Sequence, residues 1–142
     1  MSNCTKLTVR YAETDKMGVV HHAVYPVWFE MARTDYIKAL GTSYAKMEED
    51  GVMLPVAGIT CKYRQPAKYD DEISVTVRIT RLNAARIEFY YEAVLPNGAV
   101  ACEGTSSHAF VDGETFRPIN FKKRNPEFFA ILEKCAAEDM AE

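Results

Sequence analysis

The stretch from Ala23 to Leu40 carries apolar residues around most of a helix, and this limits what the chain can fold into. Val24, Val27, Trp28, Met31 and Ala32 recur at helical spacing, and Tyr25, Phe29, Tyr36 and Leu40 widen the apolar side. The polar remainder is a narrow stripe of Glu30, Thr34 and Lys38, with Arg33 beside Glu30 as a surface i, i+3 ion-pair partner. Pro26 suits the first turn, where no amide hydrogen bond is lost, and Gly41 suits the position just past the end. A helix with so little polar circumference is a buried one, so other elements must enclose it.

The rest of the chain supplies them. Leu7–Tyr11 alternates apolar and polar residues, the period of a half-buried strand. Thr42 or Ser43 caps a short helix running to about Asp50 and closed by Gly51. Met53–Gln65 reads as a long strand ended by Pro66, and Ile73–Thr80 and Ile87–Ala93 alternate with a period of two. Pro96-Asn97-Gly98 is a hairpin turn, because Asn-Gly readily takes positive φ. Val100–Val111 is the last strand, and a final helix starts at Asn125-Pro126 with Phe128, Phe129, Ile131 and Leu132 on its apolar side. One strand, a buried helix and four long strands in succession predict an α+β fold, a single domain over residues 1–142. Curling one sheet around the helix leaves an edge and an outer face uncovered, which predicts self-association.

Bulk properties narrow the function. A net charge of -3 gives no basis for binding nucleic acid or an anionic membrane. Cys4, Cys61, Cys102 and Cys135 form no Cys-x-x-Cys pair, so neither a zinc knuckle nor a redox dithiol is indicated, and free thiols are the simpler reading. The absence of a signal-peptide pattern and of any apolar run of ~18 residues predicts a cytoplasmic protein with no membrane span.

Titratable groups concentrate in one loop, Tyr11-Ala-Glu-Thr-Asp15-Lys-Met-Gly18-Val-Val-His21-His22-Ala-Val-Tyr25, at the mouth of the buried helix. With Trp28-Phe29-Glu30-x-Ala32-Arg33 and Tyr63-Arg-Gln-Pro66-Ala-x-Tyr-Asp70-Asp71, this pattern resembles the hot-dog-fold acyl-CoA thioesterases. Within them it is most similar to the 4-hydroxybenzoyl-CoA thioesterase group and its Tol-Pal-associated and long-chain acyl-CoA relatives. The resemblance implies a hot-dog fold, a curved antiparallel sheet wrapped around a long central helix, in homodimers that assemble to homotetramers.

It also implies chemistry. Asp15 matches the catalytic carboxylate, acting as general base to water or as nucleophile, and His22 and Tyr11 match accompanying site residues. Backbone N–H groups at the helix start would polarise the thioester carbonyl. Gly18, Val19 and Tyr25 are the substrate-binding positions of the loop, and Arg81 and Arg86, flanking the Leu82–Ala85 turn, are candidates for the coenzyme A phosphates, with Lys62 and Arg64 among the alternatives. The expected substrate is a fatty or short-chain acyl-CoA; coenzyme A is part of that substrate, and no separate cofactor is implied. Read without the resemblance, Asp15 could simply cap its own turn, Tyr11 ends a strand and packs, and His21 and His108 are structural. A metal site is not indicated, because adjacent histidines such as His21 and His22 rarely ligate one ion together. A hot-dog hydratase or dehydratase would carry an Asp-x-x-x-Asn-Pro-x-His pattern, absent here, and a non-catalytic acyl-CoA-binding protein is the remaining alternative.

Overall fold

The computed structural model describes residues 3–42 and 44–141. The buried helix is α1 (Tyr25–Ala39), and its C-terminal signal holds: Gly41 adopts φ +87° just beyond it. Five antiparallel strands form one sheet in the order β1-β4-β5-β6-β3, with β1 spanning Asn3–Thr8, β3 Val56–Tyr63, β4 Glu72–Leu82, β5 Arg86–Val94 and β6 Val100–Ala109. α1 packs against this sheet through Trp28, Phe29, Ala32, Tyr36 and Ile37, all buried. Phe29 stacks on Tyr91 of β5 at 4.6 Å, and Tyr36 meets Phe89 edge-on. A Cβ at Gly104 of β6 would collide with the Thr60 carbonyl oxygen and lie 2.6 Å from Phe29 Cε2, so this close approach of helix to sheet requires glycine. This is the α+β hot-dog arrangement that the sequence implied.

Two details of α1 differ from the expectation. Val27 and Met31 are 53% and 43% exposed, because the sheet covers one side of the helix and leaves a strip open. Arg33, expected on the surface, is only 7% exposed and donates to the Tyr91 hydroxyl at 3.1 Å. A long side chain can run through apolar surroundings when a buried acceptor waits at its end.

The strands also divide differently. β1 stops at Thr8, so Tyr11 opens a 3-10 turn (Tyr11–Glu13) rather than ending a strand. The expected strand from Met53 is two pieces: β2 (Val52–Met53) pairs with β7 (Val111–Asp112) in a separate two-stranded sheet, and β3 begins after Pro55, which has no N–H for a ladder. Helix α2 (Tyr44–Glu49) follows Thr42, and the proposed cap Ser43 lies outside the described residues. A short helix α3 (Phe121–Arg124), not foreseen, precedes α4 (Pro126–Met140), whose Asn125 cap accepts from the Phe128 amide as expected.

Helix α4 completes the sheet. Among the described residues β1 pairs with β4 as far as Val77. There α4 packs on β4, and Asp139 Oδ2 accepts the Ile79 amide at 2.8 Å and the Tyr36 hydroxyl at 2.7 Å. A carboxylate thus serves as the acceptor for a strand amide at this edge. The opposite edge, β3, has no such cover among the described residues.

Candidate active site

The loop between β1 and α1 is held by its own backbone and by a carboxylate. Glu13 accepts the Arg10 amide at 2.8 Å through Oε1 and the Trp28 indole N–H at 2.9 Å through Oε2. Burial alone would raise the Glu13 carboxyl, but the Arg10 amide, the Trp28 indole and the Arg10 guanidinium together hold it below its ordinary value. Glu13 therefore fastens the loop to the first turns of α1, a role the sequence pattern did not reveal.

Further on, the chain doubles back. The Asp15 amide donates to the Val19 carbonyl at 2.8 Å and the Gly18 amide to the Asp15 carbonyl at 3.0 Å. Gly18 takes φ +80°, which a residue with a side chain rarely adopts. A Cβ there would meet nothing within 4 Å, so conformation is what this position demands of glycine. Val20 N–H then donates to the Ala67 carbonyl and His21 N–H to the Glu13 carbonyl, fixing the returning arm on both sides.

Asp15 does cap its own turn: Oδ1 accepts the Met17 amide at 2.8 Å. Its other oxygen, Oδ2, has no hydrogen-bond donor among the described residues. The carboxylate is thus oriented through one oxygen while the second is available. Seven residues on, His22 opens a 3-10 turn (His22–Val24) that runs into α1. The His22 backbone N–H has no acceptor among the described residues. Such an N–H at the positive end of a helix is a ready donor to a carbonyl oxygen.

These groups share a cleft of about 310 Å³, lined by Asp15, Val19, His22 and Tyr25 from the loop and by Tyr63 and Arg64 from the end of β3, with Met17 and Pro66 at its sides. Burial pushes the Tyr25 hydroxyl up to about 12, so it stays protonated at neutral pH. Arg64, which lines this cleft, pairs with Glu103 at 2.8 Å, and that guanidinium holds the Glu103 carboxyl below its usual range.

Of the residues singled out in the sequence, Asp15, Val19, His22 and Tyr25 come together in the cleft, with Gly18 shaping the loop beside them. Tyr11 does not join them: it is 78% exposed and packs edge-on against Tyr69. Arg81 and Arg86 lie at the far end of the sheet. Tyr63 pairs with Cys102 and Arg86 with Ala109 on the same strand, and the seven steps from 102 to 109 span roughly 23 Å at ~3.3 Å per residue. The His21 and His22 rings stack at 4.2 Å. Tyr63 and Pro66 stand in the sequence only as part of a motif, with no role attached, whereas Arg64, an alternative candidate for the coenzyme A phosphates, lines the cleft. Among the described residues no helix is long and apolar enough to cross a membrane.

Comparison with known proteins adds independent information. The family model described as the Thioesterase-like superfamily matches residues 9–133. A Bacillus subtilis protein, YneP, provisionally assigned as an acyl-CoA thioesterase, is 42% identical over 91% of this chain and 94% of its own length. The acyl-CoA thioesterase YbgC of Haemophilus influenzae is 33% identical over 88% of this chain and 92% of its own. Among solved structures, the DHNA-CoA thioesterase of Staphylococcus aureus superposes with a TM-score of 0.92 at 34% identity, covering 96% of this chain and 91% of that one. The chain belongs to the thioesterase-like superfamily and is a thioester hydrolase of the hot-dog fold.

Proposed function

We propose that this protein hydrolyses an acyl-CoA to a free acid and coenzyme A, with Asp15 as the reactive carboxylate and the His22 N–H as donor to the thioester oxygen. The observation that carries this reading is their joint presence in one cleft, where among the described residues Oδ2 of Asp15 has no donor and the His22 N–H no acceptor. In the general-base route, Asp15 takes a proton from water and the resulting hydroxide attacks the carbonyl carbon. In the nucleophilic route, Asp15 attacks directly and water cleaves the mixed anhydride. In either, the C–S bond breaks, and the departing thiolate takes up a proton, for which the His22 imidazole is at hand. One well-placed donor to the developing oxyanion lowers the barrier by about 2.7–4 kcal/mol.

The expected acyl group is aliphatic, short or fatty. An aromatic acyl group is a second reading, favoured by the likeness to the Staphylococcus DHNA-CoA thioesterase and by the Tyr25 and Tyr63 rings at the cleft. Thiol release measured with short, medium, long and aromatic acyl-CoAs is expected to give turnover with one of these classes. No turnover with any, alongside tight acyl-CoA binding, would point to a non-catalytic binding protein instead.

Self-association belongs to the same reading. Among the described residues β3 is an uncovered sheet edge on which Val56, Ile59 and Tyr63 are exposed, an arrangement that invites a second strand. Pairing two copies along β3 would set a second subunit beside the cleft, because Tyr63 to Pro66 continue directly from that strand. Light scattering is expected to return two or four times the 16.0 kDa chain mass, and a monomer would remove this element of the reading.

A further inference from the structure

We infer that Tyr63 and His21 are positioning residues that clamp the turn bearing the His22 N–H. This rests on the reading of that N–H as the carbonyl donor. The peptide joining His22 to Ala23 is gripped at both ends: its carbonyl accepts the Tyr63 hydroxyl at 3.0 Å, and its N–H donates to His21 Nδ1 at 3.1 Å. The preceding peptide is held as well, since the His21 carbonyl accepts the Val24 amide at 3.0 Å. Of the groups in these two peptides, only the His22 N–H lacks a partner among the described residues. The His21 ring also stacks on the His22 ring, so one residue orients both the backbone and the imidazole beside it.

The two grips differ in origin. His21 acts locally, as an acceptor two residues before the N–H it holds, and its Nδ1 must be unprotonated to do so, which puts the ring proton on Nε2. Tyr63 reaches across 41 residues from the end of β3, where it pairs with Cys102, and its ring meets Tyr25 edge-on at 5.8 Å. Tyr63 therefore references the turn to the sheet, and His21 sets its internal shape. A donor to a developing oxyanion is worth most when it is fixed in advance, and small misplacements cost large factors in rate.

Three variants test this: Tyr63→Phe, His21→Ala and His21→Asn, the last restoring a side-chain acceptor for an amide two residues on. Tyr63→Phe and His21→Ala are expected to lower kcat by about 10- to 100-fold with KM little changed, and His21→Asn to recover most of the loss. Amide hydrogen exchange followed by NMR gives a readout without turnover: the Ala23 amide should be protected in the wild type and exchange faster in His21→Ala. Wild-type kcat in both disrupting variants, or unchanged Ala23 exchange, overturns the clamp while leaving the thioesterase reading in place. If the wild type cleaves no acyl-CoA, that reading falls, and the exchange measurement still decides whether the turn is clamped.

Discussion

An Asp15→Asn variant is expected to lose thioester hydrolysis while keeping its fold and its oligomer size. The choice of asparagine matters, because the proposed function gives Asp15 a second task beside its turn, and a cruder substitution would confuse the two. Its Oδ1 accepts the Met17 amide and so shapes the Asp15–Val19 turn. An asparagine amide oxygen can do the same, whereas alanine would remove the acceptor and loosen the loop. What asparagine cannot do is take a proton from water or attack a thioester. The expected fall in kcat is about 10²–10⁴-fold for the general-base route, and larger if Asp15 is the nucleophile. Circular dichroism and light scattering establish that the variant is intact, and thiol release measures the loss. Full turnover by Asp15→Asn would sink the assignment. A partial loss equal in Asp15→Asn and Asp15→Ala would assign the carboxylate to holding the substrate rather than reacting with it.

Much of this arrangement is legible in the amino-acid order, for identifiable reasons. Pro26 and Gly41 bound α1 because each carries a local backbone constraint, and the Asn125 cap marks the start of α4 in the same way. β4 and β5 alternate buried and less buried residues along their length because a sheet with one face on the core imposes a period of two. Asp15 and His22 meet in one cleft because they are seven residues apart and share one turn-rich segment.

What escapes such a reading is contact across the chain. Arg33 looks like a surface residue until Tyr91, 58 positions away, supplies a buried hydroxyl. Tyr63 looks like the end of a strand until its hydroxyl reaches the His22 carbonyl. Glu13 looks like one more loop carboxylate until the Trp28 indole closes on it. Arg81 and Arg86 stand out by charge and by their place beside a turn, and neither property says at which end of a sheet that turn lies. Local periodicity specifies which face is buried; it carries no information about the polar partner on the opposing element.

Acidification from pH 6.5 to pH 4 is expected to remove about 3 kcal/mol of folding stability through His108 alone. His108 is fully buried on β6 and forms part of a polar chain through the core. The chain has one consistent direction. Arg33 Nη1 donates to the Tyr91 oxygen at 3.1 Å, Tyr91 meets Ser106 Oγ at 2.6 Å, Ser106 meets His108 Nε2 at 2.7 Å, and His108 Nδ1 reaches the Leu54 carbonyl at 3.2 Å. A carbonyl can only accept, so Nδ1 carries the proton; Nε2 then accepts from Ser106, and Ser106 in turn accepts from Tyr91. A second proton on the ring would break the Ser106 link. Burial, and then the Arg33 charge, disfavour that proton and lower the His108 pKa from 6.5 to about 4. Between those values the unfolded chain binds the proton and the folded chain does not, so stability is full above about pH 6.5 and falls as the pH drops towards 4. A difference of 2.5 (6.5 − 4) at 1.36 kcal/mol per unit gives the stated figure, a large share of the 5–15 kcal/mol that holds a typical domain together. Urea unfolding at pH 7 and at pH 4.5 measures the loss. In a His108→Gln variant, whose amide can still accept and donate but does not titrate, the stability at pH 7 is expected to fall while its dependence on pH over this range flattens. An unchanged pH slope in that variant would mean that another group controls the acid sensitivity of the core.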